Sequence, residues 1–138
     1  MTKKMKKKMM KKMEMNKINW SNHEWRKQEP WGIIHPDKAW NYYDESAVEV
    51  DDEGILHLKT HFNPITIKHE DEKYNPDYGV GLISSIEKFH FGYFEIEAKL
   101  PTGYALWPAF WLYGSPWPPE IDIFEGYTGN RQDYLHLN

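Results

Sequence analysis

The chain has 138 residues, enough for one domain with its own core, and no Cys, which excludes disulfides and thiolate zinc sites. Its formal net charge of −4 joins two unlike parts: residues 1–17 hold eight Lys, one Glu and all six Met, and the other 121 residues hold nine basic and 20 acidic side chains, a net of −11. So acidic a body repels nucleic acid and other polyanions, and no nucleic-acid partner is expected.

Residues 1–17 (MTKKMKKKMMKKMEMNK) are low-complexity sequence without turn signals. They are expected to form a disordered leader, with the domain at 18–138. Lys interrupts this stretch every few positions, so it lacks the apolar centre of a secretory signal. Nowhere does the chain run to the ~18 consecutive apolar residues of a membrane span. Residues 18–46 read as an irregular approach in which Trp20, Trp25, Trp31 and Trp40 stand among Pro30, Gly32, Pro36 and Asn41. Spaced indoles of this kind plug the edge of a sandwich or offer a platform for sugar rings.

Val48–Val50 and Ile55–Thr60 read as short strands about the turn Asp51-Asp52-Glu53-Gly54, a hairpin. Ile65–Lys68 is a third strand. Residues 70–77 (EDEKYNPD), with Asn75-Pro76, read as a surface loop. Strand character resumes at Gly79–Ser85. His57 and His61 are four apart, but in strand-like sequence that spacing does not unite them as it would on a helix, so they read as structural or surface residues.

Phe91–Leu100 has the clearest alternation. Phe94, Ile96, Ala98 and Leu100 share one face, and Glu95, Glu97 and Lys99 the other, as in a sheet with one wet side. Pro101-Thr102-Gly103 closes it. In Ala105–Tyr113, Leu106, Phe110 and Leu112 fall on one face. Trp107, Ala109, Trp111 and Tyr113 fall on the other, where two indoles about a small Ala leave a flat trough. An exposed pair of indoles calls for something flat to cover it. Residues 115–119 (SPWPP) form a rigid loop, 126–133 a turn-rich loop, and Tyr134–Asn138 opens another strand.

Glu120-Ile121-Asp122-Ile123-Phe124-Glu125 packs three carboxylates into six residues. In a plain strand Glu120 and Asp122 share a face and Glu125 has the wrong parity to join them. A β-bulge formed by Ile123 and Phe124 would return Glu125 to the acids' side and turn the apolar three to a core. The outer Cα atoms would then lie roughly 13 Å apart. Arms leaning inward can close that to the ~5–5.5 Å between the carboxyl groups of a retaining glycosidase. Three like charges on one face destabilise one another's ionised forms, a cost that a merely soluble face avoids by mixing signs. The pattern alone is also compatible with a solvated acidic face or with a hard cation such as Ca²⁺.

Phe91-Gly92-Tyr93-Phe94-Glu95-Ile96-Glu97-Ala98-Lys99-Leu100-Pro101, then Leu106-Trp107-Pro108-Ala109-Phe110-Trp111-Leu112, then Glu120 to Glu125, resembles the catalytic half of glycoside hydrolase family 16, the family of β-glucanases, laminarinases, agarases and carrageenases. The resemblance runs from about residue 40 to the C-terminus, with its residue-specific core at Gly81–Glu125. It implies an all-β, concanavalin A-like jelly-roll β-sandwich with the acids on the concave sheet. It implies retaining hydrolysis of internal β-glycosidic bonds in a polysaccharide, a β-1,3- or mixed-linked glucan or a galactan. Glu120 would be the nucleophile, Glu125 the acid/base and Asp122 the residue that assists them. Trp107, Trp111 and His136 would bind substrate. No cofactor is implied beyond a structural calcium, whose ligands the sequence does not mark. The six-residue spacing of the acids is similar to the laminarinase, agarase and carrageenase branches. A non-catalytic sugar-binding sandwich and an inactive fragment are the competing readings.

Two departures stand out. Glu97 replaces an Arg common in the family, and the chain ends 13 residues after Glu125, so a domain truncated after its catalytic strand is expected. The family is usually extracellular or periplasmic, and no signal peptide is visible here.

Overall fold

Short strands dominate because β-branched and aromatic residues alternate with polar ones in runs of three to five, punctuated by Gly, Pro, Asn and Asp. The computed structural model describes residues 16–34, 40–69, 71–114, 116, 119–128 and 133–136. Residues 1–15 of the expected leader and most of the SPWPP loop lie outside these. In chain order the strands are β1 (Lys17–Trp20), β2 (His23–Arg26), β3 (Asn41–Tyr43), β4 (Val48–Val50), β5 (Leu56–Leu58), β6 (Thr60–Phe62), β7 (Ile67–His69), β8 (Glu72–Tyr74), β9 (Tyr78–Val80), β10 (Ser84–Ser85), β11 (Ala109–Tyr113), β12 (Glu120–Thr128) and β13 (Asp133–His136). The chain is all-β, and it divides into two compact units, Met1–His90 and Phe91–Asn138.

In the first unit β1 and β2 pair antiparallel about Ser21 (φ 51°) and Asn22 (φ 63°). Two successive left-handed residues make the two-residue turn whose twist matches that of the flanking strands. This corrects the expected irregular approach at 18–46: a hairpin begins at Lys17, and its signal was the turn chemistry of Ser21-Asn22. Trp25 Nε1 donates to Trp20 O at 3.0 Å, and Trp20 Nε1 donates to Gly54 O at 3.1 Å. These indoles are therefore anchored by their polar tips, and β10 adds a third strand against β2.

The second sheet has the order β3-β9-β6, with β3 and β9 parallel. Tyr42, Ala47 and Val48 are buried beside it in sequence, and Ile34 is buried as well. Asp44 ties the unit together. Its Oδ1 accepts from Ser46 N at 2.9 Å and Ser46 Oγ at 2.8 Å, and its Oδ2 accepts from Tyr42 OH at 3.0 Å and lies 3.0 Å from His61 Nε2. Burial pushes this carboxyl up, but the hydrogen bonds from Ser46, Tyr42 and His61 outweigh burial and bring it down to about 2. Gly81 allows the closest backbone approach: a Cβ there would stand 2.9 Å from Lys59 N and 3.0 Å from Leu58 Cα.

The hairpin β4–β5 forms as the turn at Asp51–Gly54 predicts. Asp51 Oδ1 accepts from Glu53 N at 3.0 Å and Ile55 N at 2.9 Å. His57 and His61 indeed serve different partners, His57 Nε2 lying 2.7 Å from Asp51 Oδ2. Residues 70–77 are not wholly loop. Glu72–Tyr74 pairs with β7, an exposed hairpin that needs no apolar stripe and so leaves little pattern in the sequence.

The second unit has the sheet β11-β12-β13. Here the alternating stretch 91–100 departs most from expectation, because it forms no strand. Alternation prepares a chain for two environments, but a ladder also needs a neighbour, and no described strand pairs with it. Phe91 and Tyr93 are consequently almost fully exposed. Strand structure in the next stretch begins only at Ala109, after a turn with Ala105 at φ 62°. β12 continues to Thr128, beyond the point where a loop was expected.

Candidate active site

β11 and β12 pair antiparallel with the register Tyr113↔Glu120, Leu112↔Ile121, Trp111↔Asp122, Phe110↔Phe124 and Ala109↔Glu125. The register shifts between Phe110 and Trp111, so Ile123 is the extra residue of a β-bulge. Residues directly opposite on neighbouring strands share a face. Tyr113, Trp111 and Ala109 are alternate residues of one strand, so Glu120, Asp122 and Glu125 all lie on one side of the sheet. Without the bulge Glu125 would sit on the other.

Ring contacts agree with this parity. Trp111 and Tyr113 rings are 5.9 Å apart on the acids' side, and Phe110 and Phe124 rings are 6.3 Å apart on the opposite side. The expected apolar back is only partly covered: Ile123 and Phe124 are half-buried, whereas Ile121 is 54% exposed. Asp122 and Glu125 are half-buried and Glu120 is exposed.

Trp107 precedes β11 with the parity of Trp111, and its Nε1 donates to Glu125 Oε1 at 2.9 Å. The next residue fastens the same place through the backbone. Gly126 N donates to Pro108 O at 2.8 Å, and a Cβ on Gly126 would meet Pro108 Cγ at 3.1 Å. Both the indole contact and this Pro–Gly clasp escaped the sequence reading. The W-P-A triplet opposite E-G was its one available sign. His136 stands opposite Glu125 in the β12–β13 register. All six residues singled out in the sequence thus fall on three adjoining strands or the turn leading into them. Among the described residues no three His, Asp or Glu side chains gather as a set that could hold a metal ion.

A row of carboxylates on one sheet face beside indoles is the site expected of a carbohydrate-cleaving sandwich. A sequence profile for the XgeA-like, catalytic GH16 domain matches residues 52–137, more than half of the chain. The chain belongs to glycoside hydrolase family 16.

Its relatives include the endo-1,3-1,4-beta-glycanase EglC of Rhizobium meliloti (strain 1021), 35% identical over 77 residues, which are 53% of this chain and 16% of that protein. The endo-1,3-1,4-beta-glycanase ExsH of the same organism is 42% identical over 53 residues, 36% of this chain and 11% of that protein. A beta-glucanase of Rhodothermus marinus is 46% identical over 55 residues, 33% of this chain and 19% of that protein. The chain therefore spans less than a fifth of the length of these relatives. No solved structure matches it. Among the described residues no helix is long and apolar enough to cross a membrane.

Proposed function

We propose that this chain carries the catalytic face of an endo-acting β-glucanase that cleaves β-1,3- or mixed-linked glucan with retention of configuration. The observation that carries the reading is the bulge at Ile123, which spends one unpaired residue to bring Glu125 to the side of Glu120 and Asp122. The name of the Rhodothermus marinus relative, a beta-glucanase, supports glucan as the substrate class, and those of EglC and ExsH, endo-1,3-1,4-beta-glycanases, support the linkages.

In this reading the Glu120 carboxylate attacks the anomeric carbon as Glu125 gives its proton to the departing glycosidic oxygen. The bond to the leaving sugar breaks while an ester bond to Glu120 forms. Glu125, now ionised, takes a proton from water. That water displaces Glu120 from the same carbon and restores both groups. Asp122, between them on the same face, steadies the charge distribution of the pair. Trp107 and Trp111 offer flat apolar surface to a sugar ring, and His136, paired with Glu125 in the β12–β13 register, is assigned to substrate binding.

The test is cleavage of laminarin and of mixed-linked glucan by the 138-residue chain, read as reducing ends and, by proton NMR, as the anomer first released. The β-anomer first, and no turnover by Glu120→Ala, are expected. An active Glu120→Ala variant, an α-anomer first, or binding without cleavage by the unaltered chain would overturn the proposal.

A further inference from the structure

We propose that Trp107 is a positioning residue for Glu125, assigning the proton to one of its two carboxyl oxygens, in addition to any surface it gives a sugar. The inference rests on the acid/base reading of Glu125. Indole Nε1–H is a donor only; it has no lone pair with which to receive a hydrogen bond. The oxygen it faces, Oε1 at 2.9 Å, must therefore present a lone pair whether Glu125 is ionised or protonated. A carbonyl oxygen accepts better than a carboxylic hydroxyl oxygen, so the indole favours Oε2 as the place of any proton on this carboxyl. Among the described residues Oε2 has no hydrogen-bond partner, which leaves it open to a substrate oxygen.

The indole is itself held. Trp107 is followed by Pro108, whose ring fixes φ and whose carbonyl accepts from Gly126 N at 2.8 Å. Two consecutive residues of one segment thus grip two consecutive residues of β12, one by side chain and one by backbone. A carboxyl that rotated freely would offer its proton in either of two directions. Fixing it removes that loss, and small errors in the position of a reacting group cost large factors in rate.

Two arms test the idea. The first is the indole N–H spectrum of ¹⁵N-labelled chain as pH is lowered. The Trp107 signal, assigned by its loss in Trp107→Phe, should move as the carboxyl titrates and should lose that movement in Glu125→Gln. A signal indifferent to both would overturn the contact, with or without activity.

The second compares a glucan, whose leaving oxygen needs a proton, with an aryl β-glucoside oligomer, whose leaving group does not. Trp107→Phe keeps the ring and removes the donor. It should lower kcat on glucan by about 10- to 100-fold more than kcat on the aryl substrate, with any change in KM shared by the two. Equal loss on both substrates would overturn the positioning role. Glu125→Ala separates this from the parent reading: if that variant still cleaves glucan, the acid/base assignment itself has failed.

Discussion

Trp111 faces Asp122 across the β11–β12 ladder, the next pair along is Phe110 with Phe124, and Ile123 between them has no partner. One residue therefore sets the side on which Glu125 emerges. Deleting Ile123 alone should restore continuous pairing and keep Glu125 opposite Ala109 on the acids' side, whereas deleting Ile123 and Phe124 together should place Glu125 opposite Phe110, on the other face. Glucan cleavage is expected to fall by about 10²–10⁴-fold in the double deletion, the worth of a general acid, and by less in the single one, while far-UV circular dichroism remains that of a β protein in both. Activity that survived the double deletion would remove the side on which Glu125 emerges from the mechanism.

Gly126 packs against Pro108 so closely that a methyl group must displace the proline ring. Gly126→Ala should destabilise the second unit by about 1–2 kcal/mol, the usual cost of overpacking. It should lower activity by more than that loss of stability explains, because the displaced proline carries Trp107 away from Glu125. Urea melts and kcat measured on the same preparations would separate the two effects.

Trp111 shares its face with the acids, and its ring contact is with Tyr113. Its expected contribution is to substrate binding. Trp111→Ala should raise KM for glucan roughly tenfold and change kcat less, the signature of binding that is uniform between ground state and transition state. A fall in kcat with constant KM would give Trp111 a different task.

Asp44 offers a prediction independent of catalysis. Its carboxyl titrates at about 2 when folded, against an ordinary value of 3.8. A folded value below the unfolded one means stability that is fully present above about pH 4 and is lost as pH falls through about 2. Asp44→Ala also leaves the N–H and hydroxyl of Ser46 without their acceptor. The loss should be about 2–3 kcal/mol at pH 6. The gap between the variant and the unaltered chain should narrow on acidification to pH 2.5, as read by denaturant melts. A gap that is constant with pH would contradict the hydrogen-bonded carboxylate.

The sequence displayed the site better than the scaffold around it. Parity is a local property, so counting from Glu120 to Glu125 was enough to require a bulge near Ile123, and the indoles of Trp107 and Trp111 showed their shared side by the same count. The β4–β5 hairpin was legible because Asp51 and Gly54 encode its turn chemically. What escaped notice depended on partners. The β7–β8 hairpin has one apolar pair, Ile67 with Tyr74, and two polar ones, too little for a periodic stripe. The Ser21-Asn22 turn was overshadowed by the four Trp around it. The hydrogen bond from Trp107 to Glu125 joins residues 18 apart and follows from the register of two strands, not from either strand alone. At 91–100 a strand-like rhythm was present, but rhythm does not supply a neighbour.

That last stretch has a consequence for how the protein behaves in concentrated solution. An extended run with Phe91 and Tyr93 in water is a template on which a second molecule can lay its own backbone. Glu95, Glu97 and Lys99 are spaced along it as gatekeepers, placing two like charges where self-pairing would stack them. Charge at 97 would therefore oppose self-pairing along this stretch.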